Sequence, residues 1–257
     1  MANPALNEKT FAPSRVRTLD PTAVFGGAGA PPRGRMTLEG VISRSAMLFP
    51  ILLVTAWLGW NSVERTELGV RLPGWLLPAA LVGLGVAVLT IFKPKFSPYT
   101  APAYAAVEGL VVGAISAMYN FQFDGIVLQA VMLTGAVFAI MLGLYATRLV
   151  RVTDRLRKAV MVATLAVMAV YLVSIVMRLF GADVPMIHEN GPVGILFSLA
   201  VVGIASFNLL LDFDLIETGV AAGAPKWMEW YAAFALLVTL VWLYLELLRL
   251  LSKLRSR

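Results

Sequence analysis

The stretch Pro192–Asp212, PVGILFSLAVVGIASFNLLLD, holds no charged residue before its last position. A helix that crosses a bilayer needs about 20 mostly apolar residues, and this run has that length. It lacks the period-two alternation of a strand and is too long for a barrel strand. In lipid every backbone N–H and C=O must find a partner within its own segment, which a helix provides.

Working outward, further runs read the same way, each punctuated at its ends. They are Ile42–Trp60 before Asn61, Pro73–Phe92 before Lys93-Pro94, Pro98–Tyr119, Ile126–Ala146, Ala159–Phe180 and Trp230–Leu251. Trp57, Trp60, Trp75, Trp227, Trp230 and Tyr99 stand at or near run ends, where amphipathic rings meet the bilayer interface. Of the 257 residues, 59% are hydrophobic and 14% charged. Mean hydropathy is +0.81, whereas a soluble domain is about half apolar and a quarter charged. The expected fold is an all-α integral membrane protein, a bundle of about seven transmembrane helices over 41–257. Residues 1–40 are polar and include FGGAGAPPRG at 25–34, so a disordered cytoplasmic N-terminal tail is expected.

The net charge of +6 is read as topology rather than nucleic-acid binding. Lys9, Arg15, Arg17, Arg33, Arg35 and Arg44 precede or open the first run. Lys93 and Lys95 follow the second. Arg148, Arg151, Arg155, Arg157 and Lys158 follow the fourth. All fall on one side, which is expected to be cytoplasmic. The opposite loops carry Asp124, Asp183 and Glu189. The C-terminus breaks the pattern: an odd number of spans sends it outside, yet it bears Lys253, Arg255 and Arg257.

Several chemistries are excluded. There is no cysteine, and the one histidine, His188, lies in a loop beside Glu189. Thiolate chemistry and a histidine-built metal site are therefore not available. No phosphate-binding loop, HExxH or GxSxG stands in the chain. No enzyme activity, cofactor or resident metal is expected, and the lipid bilayer is the first partner.

The informative residues are acids within the runs. A carboxylate at bilayer depth costs about 2.5–3.5 kcal/mol on insertion scales, so it normally faces a bundle interior or a water-filled cavity. Glu108 sits in AAVEGLVVGAIS at 105–116, with Tyr104 one turn before it. It reads as an ionisable group in a polar pathway, or as a structural hydrogen bond between helices. Gly109 and Gly113 form a small-xxx-small pair that lets another helix approach. Asp212 has Asn208 one turn earlier on the same face, while Asp214 points about 200° away. Asp212 reads as a proton- or cation-sensing group, or with Asp214 as a cap of the span in the headgroup region. Glu217 lies just beyond. Glu246 has Arg249 three residues on and can pair with it along one helix face.

Three elements in order resemble one family. AAVEGLVVG at 105–113 looks like its Glu-Gly-Leu element. FNLLLDFDLIE at 207–217 looks like its Leu-Tyr-Asp-Thr-Gln-Leu-Ile element. LYLELLRLLSKL at 243–254 is similar to its closing Leu-Leu-Arg-Leu-Leu. The chain resembles the Bax inhibitor-1 family, in its bacterial branch, over roughly residues 37–254. That resemblance implies a seven-span protein of a bacterial plasma membrane with a pH-sensitive calcium leak. It also implies a sensing pair of aspartates, one in the sixth span at Asp212 and one in the seventh. Here the second position falls at Thr239, which can hydrogen-bond Asp212 but cannot repel it. Glu246 or Glu229 is a candidate substitute. Two functions are expected: a Ca²⁺ or proton leak using Asp212, with Glu108 in or near the path, or a non-conducting protein that binds other membrane proteins through its helices and basic surface.

Overall fold

A computed structural model describes residues 34–66, 69–180 and 191–256. Those residues form seven α-helices: α1 Leu38–Asn61, α2 Leu76–Phe92, α3 Ser97–Gln122, α4 Ile126–Ala146, α5 Asp154–Leu179, α6 Pro192–Ala221 and α7 Met228–Arg255. Six are long and apolar enough to cross a membrane. The remaining helix, α2, has 17 residues, at the lower limit for a span. The all-α membrane bundle expected from the apolar runs is the observed architecture.

Local differences have physical causes. Between α1 and α2 stands a short antiparallel hairpin, β1 Glu64–Thr66 and β2 Gly69–Arg71, with Glu64 opposite Arg71. No strand is expected from the apolar runs. Of the 1–40 stretch expected to be a tail, residues 38–40 are helical: α1 starts at Leu38 because Thr37 caps it, its hydroxyl accepting the Gly40 N–H at 3.0 Å. Just before it, Met36 N–H donates to Ala224 O at 2.7 Å and Lys226 N–H to Gly34 O at 3.0 Å. Residues 34–37 are thus paired to the α6–α7 turn. The remainder of the expected tail, and Asp183, His188 and Glu189, lie outside the described residues.

Most of the core is organised around α7. One face of it packs Leu237, Val241 and Leu248 with Leu48 and Leu52 of α1 and Tyr104 and Ala105 of α3. Its other face packs Leu236, Leu243 and Leu247 with Ala205, Leu209 and Phe213 of α6 and Met141 of α4. Among the elements in contact, α1 and α3 share the most extensive interface. A Cβ on Gly109 would meet Leu52 O, one on Gly113 would meet Ala56 O, and one on Gly59 would meet Leu110 O. The two backbones lie against each other because these positions carry no side chain.

The ends of the helices sort as the charge pattern requires. Ser97, opening α3, donates to Trp227 O at 3.0 Å, and the residues around Arg148 and Arg157 meet the last turns of α6. The start of α1 and the α2–α3, α4–α5 and α6–α7 links therefore gather at one end, called the basic end below. The end of α7 lies at the other, where Arg255 donates to Asp124 O at 2.7 Å.

Gly113→Val is expected to destabilise the protein by about 1–3 kcal/mol through overpacking of α1 on α3. Gly143→Ala, where a Cβ meets nothing within 4 Å, is the control. A lowered thermal midpoint in detergent for the first variant, with none for the second, is the expected result.

Candidate functional site

Asp212 lies well inside α6, which continues to Ala221, so it does not cap the helix end. The residue is half-buried at the seam between α6 and α7. Oδ2 has no contact with solvent and no hydrogen-bond partner among the described residues. Across the seam, the buried Thr239 side chain of α7 is the hydrogen-bonding neighbour of this carboxylate. Leu209 and Phe213 of α6 and Leu236 and Leu243 of α7 pack in one apolar cluster along the same two helices. Position 239, which the resemblance assigns to a second carboxylate, thus faces Asp212 with a hydroxyl.

The other polar residues of the expected site are engaged elsewhere. Asn208 does not extend the Asp212 site: its Nδ2 donates to Thr164 Oγ1 and to Ile204 O, both at 2.9 Å, fastening α5 to α6. Asp214 pairs with Arg157 at 2.5 Å. Glu217 accepts from Tyr145 and pairs with Arg148. These pairs sit at the basic end and join the α4–α5 region to α6. Glu108 turns toward α2, where a Cβ on Gly83 would lie 3.2 Å from its Oε2. It belongs to the α2–α3 interface, whereas Asp212 belongs to the α6–α7 interface.

Neither proposed substitute reaches Asp212. Glu246 is buried and bound by Arg249 Nη1 at 2.9 Å and by Tyr171 Oη at 2.8 Å. Arg249 also donates to Tyr171 Oη at 2.5 Å and lies over its ring at 4.8 Å. The closed triad ties α5 to α7. Glu229, also buried, accepts from the Thr37 N–H and hydroxyl, both at 3.2 Å, and stands 3.9 Å from Arg44 Nε. It caps α1 rather than serving the seam.

Tyr171, Thr164, Tyr145, Ser198 and the burial of Lys253 carry no signal in the sequence. Lys253 is 3% exposed and donates to Gly194 O at 3.0 Å and Ser198 Oγ at 2.9 Å. These pairs join positions tens of residues apart, so no local spacing marks them. They account for two of the C-terminal cations that break the charge pattern: Lys253 serves the bundle and Arg255 donates to a loop carbonyl, while Arg257 lies outside the described residues. Cations in the last turn also suit the negative end of the α7 dipole.

A family model described as Bax inhibitor 1 like matches residues 3–256. The chain belongs to the Bax inhibitor-1-like family. A comparison with curated proteins found no match. The family membership covers both sides of the seam, so the aspartate–threonine pairing is a feature of this member at a position where the resemblance implied two carboxylates.

Arg249→Ala is expected to cost about 3–5 kcal/mol, because it leaves Glu246 charged and buried without its cation. Arg249→Ala combined with Glu246→Gln is expected to recover part of that loss. Thermal unfolding of the purified protein in detergent measures both.

Proposed function

We propose that this protein is a pH-sensitive cation leak, for Ca²⁺ or protons, in which Asp212 is the titrating group. The observation that carries the reading is the buried, unpartnered Oδ2 of Asp212 within a span. A charge there, with no cation beside it, is costly in lipid. With a proton on it, the carboxyl is neutral and sits in the closed leucine-lined seam. Without the proton, the charge draws water and a cation, and α6 and α7 part. Carboxylate, carbonyl and water oxygens suit Ca²⁺. Thr239 cannot repel Asp212, so opening follows hydration of one charge instead of repulsion between two. The proposed setting is a bacterial plasma membrane, with the basic end and N-terminus on the cytoplasmic side.

The closed seam also supports a second reading, a non-conducting protein that binds and regulates other membrane proteins. Its contact surface would be the cations of the α4–α5 link, where Arg148, Arg151 and Lys158 are exposed.

Ca²⁺ flux into proteoliposomes across roughly pH 5 to 8 separates the two. The leak is expected to rise with pH, since deprotonation opens it. Asp212→Asn, held neutral, is expected to flatten the profile at low flux. Glu108→Gln, at another interface, is expected to keep it. Flux no greater than that of empty vesicles, from folded protein, overturns the leak and leaves the regulatory reading, for which changing the α4–α5 cations is the deciding variant.

A further inference from the structure

The residues just before α1 lie across the turn that joins α6 to α7. Arg35 pairs with Pro225 in an antiparallel bridge, flanked by the Met36–Ala224 and Gly34–Lys226 backbone bonds. Thr37 ends the stretch on Glu229, through its N–H and its hydroxyl. Met36 is 3% exposed and packs with Val41 of α1, Ile216 of α6 and Ala232 of α7. Gly219 makes room for it. This glycine stands inside α6, where it weakens a helix relative to alanine, and a Cβ there would lie 2.9 Å from Met36 Sδ. Gly223, just past α6 with φ +65°, turns the chain back, and a Cβ on it would lie 3.4 Å from Arg35 Cδ.

We infer that residues 34–37 form a strap that closes the α6–α7 seam at its basic end, with Met36 as the plug. Ile216 is one turn beyond Asp212 on the same face of α6, and Ala232 is two turns before Thr239 on α7. The cluster under Met36 therefore lies between the Asp212–Thr239 pair and the aqueous surface at the basic end. Water or a cation moving along the seam from that surface meets the methionine first. An unbranched thioether suits the task, since it fills an irregular gap and holds water poorly. Capping α1 does not require this burial. Thr37 already binds the Gly40 N–H, so Met36 serves the α6–α7 face rather than the start of α1.

The strap is also built to leave. It is held by backbone bonds to one turn, by Glu229 and by one buried side chain, whereas the helices beneath it are packed along their length. A short segment so held opens at lower free energy than the bundle it covers. Its effect on flux rests on the leak proposed above: a seated strap holds the leak low, and release raises it. Its control of access to the seam does not depend on the leak.

The chain has no cysteine, so one introduced thiol reports on one place. Ala232→Cys sets a thiol beneath Met36, and its reaction with a charged, membrane-impermeant maleimide is followed on the purified full-length protein in detergent. It is expected to label slowly alone and several-fold faster when combined with Met36→Asp, which puts a charge where the plug sits. Ala205→Cys, at a 0% exposed position deeper along α6, is the control and is expected to label slowly with or without Met36→Asp. If Met36→Asp fails to fold, Met36→Ala shortens the plug and keeps the backbone bonds of the strap. In proteoliposomes the unplugged protein is expected to pass Ca²⁺ several-fold faster than wild type. Equal labelling of Ala232→Cys with and without the plug overturns the inference. So does faster labelling of Ala205→Cys alongside it, because the substitution then loosens the whole bundle. Unchanged flux on unplugging a protein that does leak overturns the strap's control of the leak. Flux from neither protein defeats the leak alone, and the labelling still decides the strap.

Discussion

Inside the hydrocarbon region no water is available, so a polar side chain between these helices must be answered by another part of the protein. That constraint organises the bundle more than apolar packing does, because lipid tails are as apolar as leucine and give helices little reason to leave them. Three of the answers converge on α7. Glu229 at its start caps α1. Glu246 and Arg249 near its end hold Tyr171 of α5. Lys253 in its last turns reaches two oxygens at the beginning of α6. The helix with the most buried polar groups is also the one its neighbours surround.

The α1–α3 pair is held by a different means. There the backbones themselves approach, at Gly59, Gly109 and Gly113, and dispersion between close surfaces does the work that polar pairs do elsewhere. The helix α5 has neither advantage in full. Its packing partner is chiefly α6, and many of its side chains face outward. It is fastened by discrete polar links, Thr164 to Asn208, Tyr171 to Glu246, and Arg157 to Asp214. Such an element opens at lower free energy than a helix packed on several sides.

Against this background the half-satisfied Asp212 is the departure. Among the described residues two buried carboxylate oxygens have no hydrogen-bond partner, but Oε2 of Glu229 has Arg44 Nε at 3.9 Å, whereas no ion pair reaches Oδ2 of Asp212. Local violations of the rules a fold otherwise obeys tend to coincide with function. Thr239 changes the physics at that point: one ionisable group remains where the family resemblance suggests two, and the electrostatic coupling of a carboxylate pair is replaced by the hydration of a single charge.

The apolar runs were enough to read the fold class, because length and hydropathy are local properties and lipid allows one backbone solution to such a run. Gly109 and Gly113 were legible for a similar reason, their spacing of four marking one helix face. The Glu246–Arg249 pair was legible from its spacing of three. What the chain could not disclose is which face meets which helix. Glu108 and Asp212 look alike as lone acids in apolar runs, yet one faces α2 and the other α7. Asp212 and Asn208 share a helix face, yet Asn208 bonds across to Thr164. Glu229 looks like a membrane-edge acid, yet it is buried beneath the start of α1. Each distinction rests on rotation and contact between segments far apart in the chain. The bilayer dictates that such segments be helices, and only their packing against one another decides which polar groups meet.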